Sequence, residues 1–315
     1  MRGGVGMSPA WQPVAALRIG DLIGVCAPSG PVEPERLAAG VATLERLGFR
    51  VRVPDGILER TGFTAGSAAR RQAELTSLLR DDEVRAVICA RGGAGAIELL
   101  PGLDELAQGL ADLKPLVGYS DITFLHLLLR RLGVVSFLGP MVARGLDGAF
   151  DEASFVHAIT GKGAPYATPA GTLRALRAGQ AEGTLFGGCL SILASAAGTA
   201  WALRSETPTL LFLEDLDEPP YRLHRMLHQL RLSGAFDNVV GVAFGEMPGC
   251  QDPNGATVLE DALRSALDGL DIPIAYGLPA GHTTSPAVTL PLGVSTRLIC
   301  DGTDAQLAIL GRGVR

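Results

Sequence analysis

The sequence predicts an α/β protein of two units, the first built around a parallel sheet. Three observations carry this. Short Val- and Ile-rich runs alternate with amphipathic stretches through the first half of the chain, the pattern of β-α units whose sheet is covered on both faces. Those runs end in turns rich in glycine and proline. The chain has 315 residues, more than one core usually organises, so two domains are expected.

Taken in order, residues 22–27 form a buried strand ended by Pro28-Ser-Gly-Pro31. Residues 35–47 place apolar side chains at helical spacing, and 50–53 make a short strand. A helix over 68–79, rich in Arg and Gln, precedes an apolar strand at 84–89 that ends in Arg91-Gly-Gly-Ala-Gly95. A short helix starts at 97 and is expected to stop at Pro101-Gly102. Strand 115–117 leads to Ser120, a helical run covers 122–132, and strand 134–137 ends at Gly139-Pro140. Parallel sheets bind ligands beyond the carboxyl ends of their strands, so the loops at 28–31, 91–95 and 118–121 are expected to gather on one side. Residues 160–182, rich in Gly, Ala, Pro and Thr, read as a crossing segment. The expected division is an N-terminal domain over 1–160 with a ragged leader at 1–16, a linker at 161–182, and a C-terminal domain over 183–315. In that second half, strands are expected at 183–185, 209–214, 239–245, 274–276, 287–290, 296–300 and 306–310. Helices follow Gly187-Gly-Cys-Leu-Ser191 and cover 221–232 and 257–267, giving a mixed α/β domain with more antiparallel character.

Composition excludes several classes. The chain is 47% apolar with a mean hydropathy of +0.27, but it has no long unbroken apolar run of the kind that spans a membrane. The N-terminus lacks the continuous apolar segment of a secretory signal, so a cytoplasmic protein is expected, with Met1 or Met7 as its start. Net charge is −6, the arginines are dispersed, and only Lys114 and Lys162 are lysines, which argues against a nucleic-acid surface. Cysteines 26, 89, 189, 250 and 300 are odd in number, far apart and without a C-x-x-C pair, so they read as buried free thiols. His224 and His228 stand one helical turn apart and could share a metal ion. No third ligand lies at a fitting spacing, so no metal and no cofactor is expected.

Chemistry enters at Leu116-Val-Gly-Tyr-Ser-Asp-Ile-Thr123, where an apolar strand reaches a turn carrying Ser120 and then a helix. Strand, tight turn and helix is how α/β hydrolases expose a nucleophilic serine, and the helix N-terminus favours an attacking oxyanion. The stretch lacks the full Gly-x-Ser-x-Gly elbow, and on local sequence alone the reading of Ser120 and Asp121 as helix N-caps is favoured. Glu214 directly abuts the apolar run 210–213, whereas Asp215, Asp217 and Glu218 read as a solvated acidic loop. His282 lies in a loop between glycine and proline residues. Serine, histidine and carboxylate are what a nucleophilic hydrolase needs: an attacking group, a base, and an acid that orients and stabilises the imidazolium.

Ten short motifs then occur in a fixed order. They are Val25-Cys-Ala-Pro-Ser-Gly30, Arg91-Gly-Gly93, Gly118-Tyr-Ser-Asp-Ile-Thr123, Gly139-Pro-Met141, Gly187-Gly188 with Leu190-Ser191, Phe212-Leu-Glu-Asp215, Glu218-Pro-Pro-Tyr-Arg222, Arg225-Met-Leu227, Gly277-Leu-Pro-Ala-Gly-His282 and Leu290-Pro-Leu-Gly293. In order and spacing, across residues 20–312, the chain resembles the serine LD-carboxypeptidases of peptidoglycan recycling, which include the microcin C immunity peptidases. The resemblance implies a flavodoxin-like N-terminal domain carrying Ser120 as nucleophile. It also implies a C-terminal domain carrying Glu214 and His282 as orienting carboxylate and base, with the site between them. The oxyanion hole would use the backbone N–H groups of Asp121 and Gly93. Arg91 or Arg222 would hold a substrate carboxylate. The implied partner is a murein peptide ending in D-alanine, with no nucleic acid and no membrane, and the implied assembly is a homodimer. Three positions depart from the family pattern: Ala94 in place of tyrosine, Cys189 in place of asparagine, and His224 in place of aspartate. The last turns the His224/His228 pair into helix surface.

Other readings are a microcin-type peptidase acting on aminoacyl nucleotides, and a non-catalytic two-lobe binding protein. The first is disfavoured by the short connector from Ser120 to Glu214, most of whose aromatics, such as Phe124, Phe137 and Phe186, fall in apolar elements. The second is disfavoured by the presence of all three triad residues. A Rossmann dehydrogenase does not fit, because residues 91–95 lack the G-x-G-x-x-G spacing.

Overall fold

A computed structural model describes residues 10–107 and 113–315. The first part runs β1 (Leu22–Cys26), α1 (Pro34–Arg46), β2 (Arg50–Arg52), α2 (Ala68–Arg80), β3 (Val84–Cys89), α3 (Leu100–Ala107), β4 (Leu116–Gly118), α4 (Thr123–Arg131), β5 (Ser136–Leu138) and α5 (Glu152–Thr160). The second runs β6 (Leu173–Arg177), β7 (Gly179–Cys189), α6 (Leu190–Ala196), β8 (Thr209–Glu214), α7 (Pro220–Leu232), β9 (Val239–Gly245), α8 (Leu259–Ala266), β10 (Ile274–Leu278), β11 (Leu290–Leu292), β12 (Ser295–Asp301) and β13 (Asp304–Ile309).

Strands β2, β1, β3, β4 and β5 pair in parallel in that order, which is the flavodoxin-like arrangement. Strands β1, β3 and β4 are apolar and almost wholly buried, as a sheet covered on both faces requires. Their carboxyl ends bring the loops at 28–31, 91–95 and 118–121 together, as expected from the sequence. The second unit is a closed barrel, β10-β6-β13-β12-β7-β8-β9. Its β7–β8–β9–β10 stretch is parallel and the remaining pairings are antiparallel. Leu210, Leu211, Phe212 and Leu213 on β8 are buried; each such side chain contributes about 1.5–3 kcal/mol relative to exposure. Five cysteines are free and buried.

Several elements differ from expectation. The segment 161–182 is not all linker: residues 173–177 are β6 and β7 begins at 179. Of the supposed leader, residues 10–16 are tied into the fold. Gln12 bridges Val134, Val14 bridges Val314, and Trp11 packs 6.1 Å from Phe186; residues 1–9 lie outside the described residues. The helix expected to stop at Pro101-Gly102 instead runs through them, because proline is tolerated in a first helical turn. The strand expected at 287–290 lies at β11 and pairs antiparallel with β5, so the late chain completes the N-terminal sheet.

Candidate active site

Ser120 follows β4 directly and has φ of +65°, a conformation costly for a residue with a Cβ. This is the strained strand-to-helix turn of a nucleophile elbow. Its first glycine is present as Gly118, where a Cβ would meet Ile122 at 2.9 Å. Ile122 occupies the second glycine position, which is why the motif is incomplete in sequence. The N-cap reading does not hold. The turn at Ser120–Ile122 is capped by Tyr119 without a side-chain bond, and α4 starts only at Thr123. His126, fully buried on α4, binds the Gly118 carbonyl at 2.9 Å and Ser136 Oγ at 2.9 Å; burial pushes its pKa down to about 4, so it is neutral.

The Asp121 side chain has a role the sequence did not reveal. Its carboxylate is buried and accepts from Ser29 Oγ at 2.7 Å and from the Ala96 N–H at 2.9 Å. It thereby joins the three strand-end loops. Burial raises its pKa, against the opposing effect of those two bonds. Arg71 on α2 is 1% exposed and donates to the Pro28 carbonyl at 2.7 Å and the Gly95 carbonyl at 2.9 Å, while pairing with Glu98. Gly92 must be glycine, since a Cβ there would lie 2.6 Å from Ser120 Cβ. Gly93 has φ of +125° and packs on Gly30. Among the described residues neither the Gly93 nor the Asp121 N–H has a backbone acceptor.

Glu214 ends β8, opposite Cys189 in register, and is fully buried. Its Oε2 accepts from His282 Nδ1 at 2.7 Å and from the His282 backbone N–H at 2.8 Å. The chain can approach this closely only because residue 281 is glycine: a Cβ there would lie 2.6 Å from Glu214 Cδ. Glu246 Oε2 accepts from the Thr284 N–H at 2.7 Å and from its hydroxyl at 2.8 Å, fixing the loop just after His282. Burial opposes protonation of His282, but the charge and hydrogen bond of Glu214, helped by Asp215, outweigh it and raise its pKa above the ordinary imidazole value. The imidazole meets the Tyr119 ring edge-on, with centroids 5.0 Å apart. The structure thus brings Glu214 and His282, from the barrel, against the residue preceding Ser120, from the sheet. A second contact between the units lies beside it: Cys189 N–H donates to Thr123 Oγ1 at 3.1 Å.

The acidic loop is not uniformly solvated. Asp215 is buried and accepts from the Ser191 N–H at 2.7 Å. Cys189, held between Thr123 and Asp215, is buried and its thiol is pushed well above its usual range. Arg91 donates to the Pro31 carbonyl at 3.1 Å, and Arg222 pairs with Glu218 at 3.3 Å. The rings of His224 and His228 on α7 lie with centroids 4.5 Å apart and tilted by 56°, and His224 lines a groove of about 820 Å³ that contains none of Ser120, Glu214 and His282. Among the described residues no cluster of three or more metal-ligating side chains occurs, and no helix is long and apolar enough to cross a membrane.

Ser120 on a strained strand-to-helix turn, and next to it in sequence Tyr119 packed on a histidine held by a buried carboxylate, accord with the class that comparison with known proteins shows, a serine-type peptidase and thus a hydrolase. The chain belongs to the LD-carboxypeptidase family: the model of its N-terminal domain matches residues 23–139 and that of its C-terminal domain residues 182–298. A probable murein peptide carboxypeptidase of Bacillus subtilis is 34% identical over 95% of this chain and 94% of its own. The microcin self-immunity protein MccF of Escherichia coli is 27% identical over 93% of this chain and 94% of its own. Among solved structures, a muramoyltetrapeptide carboxypeptidase from Oxalobacter formigenes superposes with a TM-score of 0.79 at 30% identity, covering 92% of this chain and 99% of its own.

Proposed function

We propose that this protein is a serine LD-carboxypeptidase that releases the terminal D-alanine of a murein tetrapeptide in peptidoglycan recycling. The observation that carries the reading is the Glu214–His282 pair, bonded at 2.7 Å and packed against the turn that presents Ser120. Ser120 Oγ attacks the carbonyl of the L,D bond while His282 takes its proton. Glu214 holds the tautomer with the proton on Nδ1 and stabilises the imidazolium. The Asp121 and Gly93 N–H groups receive the developing oxyanion. His282 then gives its proton to the departing D-alanine nitrogen, and water cleaves the acyl-enzyme by the reverse sequence. The relative MccF supports a second reading, hydrolysis of aminoacyl nucleotides. Against it, five of the eight connector aromatics, Phe124, Phe137, Phe155, Phe186 and Phe212, are buried and unable to stack on a base, while Phe150, Tyr166 and Trp201 are half-buried. The same reading places the enzyme in the cytoplasm as a homodimer, which fractionation and light scattering would test.

The direct test is incubation with murein tetrapeptide and, separately, an aminoacyl-sulfamoyl adenosine, with products identified by mass. Ser120→Ala and His282→Ala are each expected to lower turnover by about 1,000-fold or more, and the double variant to lose little beyond either, because the triad acts as a unit. Glu214→Ala is expected to be milder than Ser120→Ala. A Ser120→Ala enzyme keeping more than about a tenth of wild-type kcat would overturn the assignment. Dialysis against EDTA is expected to leave activity unchanged, since the serine mechanism needs no Lewis acid; loss restored by zinc would point to His224 and His228 instead.

A further inference from the structure

We propose that Arg144 binds the terminal carboxylate of the peptide substrate on the leaving-group side of the site; this rests on the LD-carboxypeptidase reading above. The backbone of Arg144 is fixed. Val142 and Ala143 donate to the Cys89 and Ala90 carbonyls at 3.1 and 2.8 Å, extending the end of β3, and Arg144 closes a tight turn with Met141. Its side chain is exposed. The positive charge of Arg144 acts on Tyr119, opposing the rise in its pKa that burial causes, and the Tyr119 ring packs against the His282 imidazole at 5.0 Å. Among the described residues Arg144 has no ion-pair partner. The nearby carboxylate of Asp147 is already engaged by Arg36 at 2.6 Å and by the Gly145 N–H at 2.7 Å. An exposed guanidinium without an ion pair has its fork of N–H donors open to a ligand.

Reaction geometry says where the carboxylate must lie. In a carboxypeptidase the leaving nitrogen and the carboxylate share one Cα, which puts them about 2.5 Å apart. His282 must reach that nitrogen within about 3 Å to protonate it. The carboxylate therefore borders His282, and so must its cation. Arg144 acts electrostatically on His282, lowering its affinity for a proton. Arg91 is bonded to Pro31 on the glycine-loop side, and Arg222 is paired with Glu218. A bound carboxylate also cancels the repulsion between Arg144 and the imidazolium that forms during attack, so the correct substrate completes the base that cleaves it.

The experiment measures kcat/KM for the tetrapeptide and for its C-terminal amide, using wild type, Arg144→Ala and Arg144→Lys. Wild type is expected to prefer the acid by about 10- to 150-fold, the worth of a charge-assisted bond. Arg144→Ala should lose that factor on the acid and change by less than about 3-fold on the amide, so the ratio approaches one. Arg144→Lys should keep part of the preference, since it retains charge but not the planar fork, and it provides the same reading if the alanine variant misfolds. A variant that keeps the wild-type ratio overturns the proposal and leaves the carboxypeptidase reading intact, as does an equal fall on acid and amide. A wild-type ratio near one removes both.

Discussion

His282 sits between two opposed influences, burial that disfavours its charge and a buried carboxylate that favours it, and the carboxylate prevails. In the proposed mechanism only the neutral imidazole can take the proton of Ser120. Activity should therefore fall as pH drops through a pKa above the ordinary imidazole value near 6.5. The rising limb of the pH profile of kcat/KM should be centred above that value, and in Glu214→Gln it should move to lower pH, because the charge that raises the pKa is gone. A limb that stays in place in Glu214→Gln would show that another group titrates. At this scale the sequence was informative about chemistry and silent about geometry. Ser120, Glu214 and His282 stood out as candidates because each lay where an apolar run or a glycine-rich loop met a reactive side chain, and only the family resemblance joined them into one proposed site. The strain at Ser120 was hidden because Ile122 replaces the second glycine of the elbow. The buried Asp121 carboxylate was hidden because its partners, Ser29 and Ala96, are remote in sequence and meet only through the sheet.

The loops that shape the site depend on α2 as much as on the strands that carry them. Arg71 spans from the loop after β1 to the loop after β3 and is almost wholly buried. Arg71→Ala would strand the Pro28 and Gly95 carbonyls, at a cost of about 1–3 kcal/mol for each, while Glu98, half exposed, turns to solvent. The expected result is a lower urea midpoint together with a fall in kcat, because Gly95, and with it the loop carrying Gly93, loses its anchor. An unchanged midpoint would mean that the loops hold themselves. Nothing in the sequence of α2 separates Arg71 from its neighbour Arg70, since both belong to a polar helical run. Other elements were misjudged for physical reasons. β6 alternates only weakly, with one buried position followed by exposed or half-buried ones, so it read as linker. β8 and β9 were plain because their apolar runs are buried almost throughout.

Across the whole molecule, the two units are interlocked more than their separate sheets suggest. Trp11, near the start of the chain, packs on Phe186 of the barrel, Val14 bridges Val314, and β11 pairs with β5. Urea unfolding followed by Trp11 fluorescence in a Trp201→Phe background should therefore coincide with loss of far-ultraviolet ellipticity. Two separated midpoints would show that sheet and barrel melt independently. The α/β class and the parallel pairing of the first sheet were readable from the β-α rhythm, while its flavodoxin-like order was implied only by the family resemblance. The exchange of β11 was not, because a three-residue strand paired with a segment about 150 positions earlier leaves no periodic trace. That exchange also sets a timetable. As the chain leaves the ribosome, residues up to Leu138 emerge with β5 as an open edge, and the strand that closes it arrives only after His282. The polypeptide therefore has neither a finished sheet nor the Glu214–His282 pair in place until the segment through β11 has been translated, so the proposed catalytic base and the edge of the sheet that carries Ser120 are completed together.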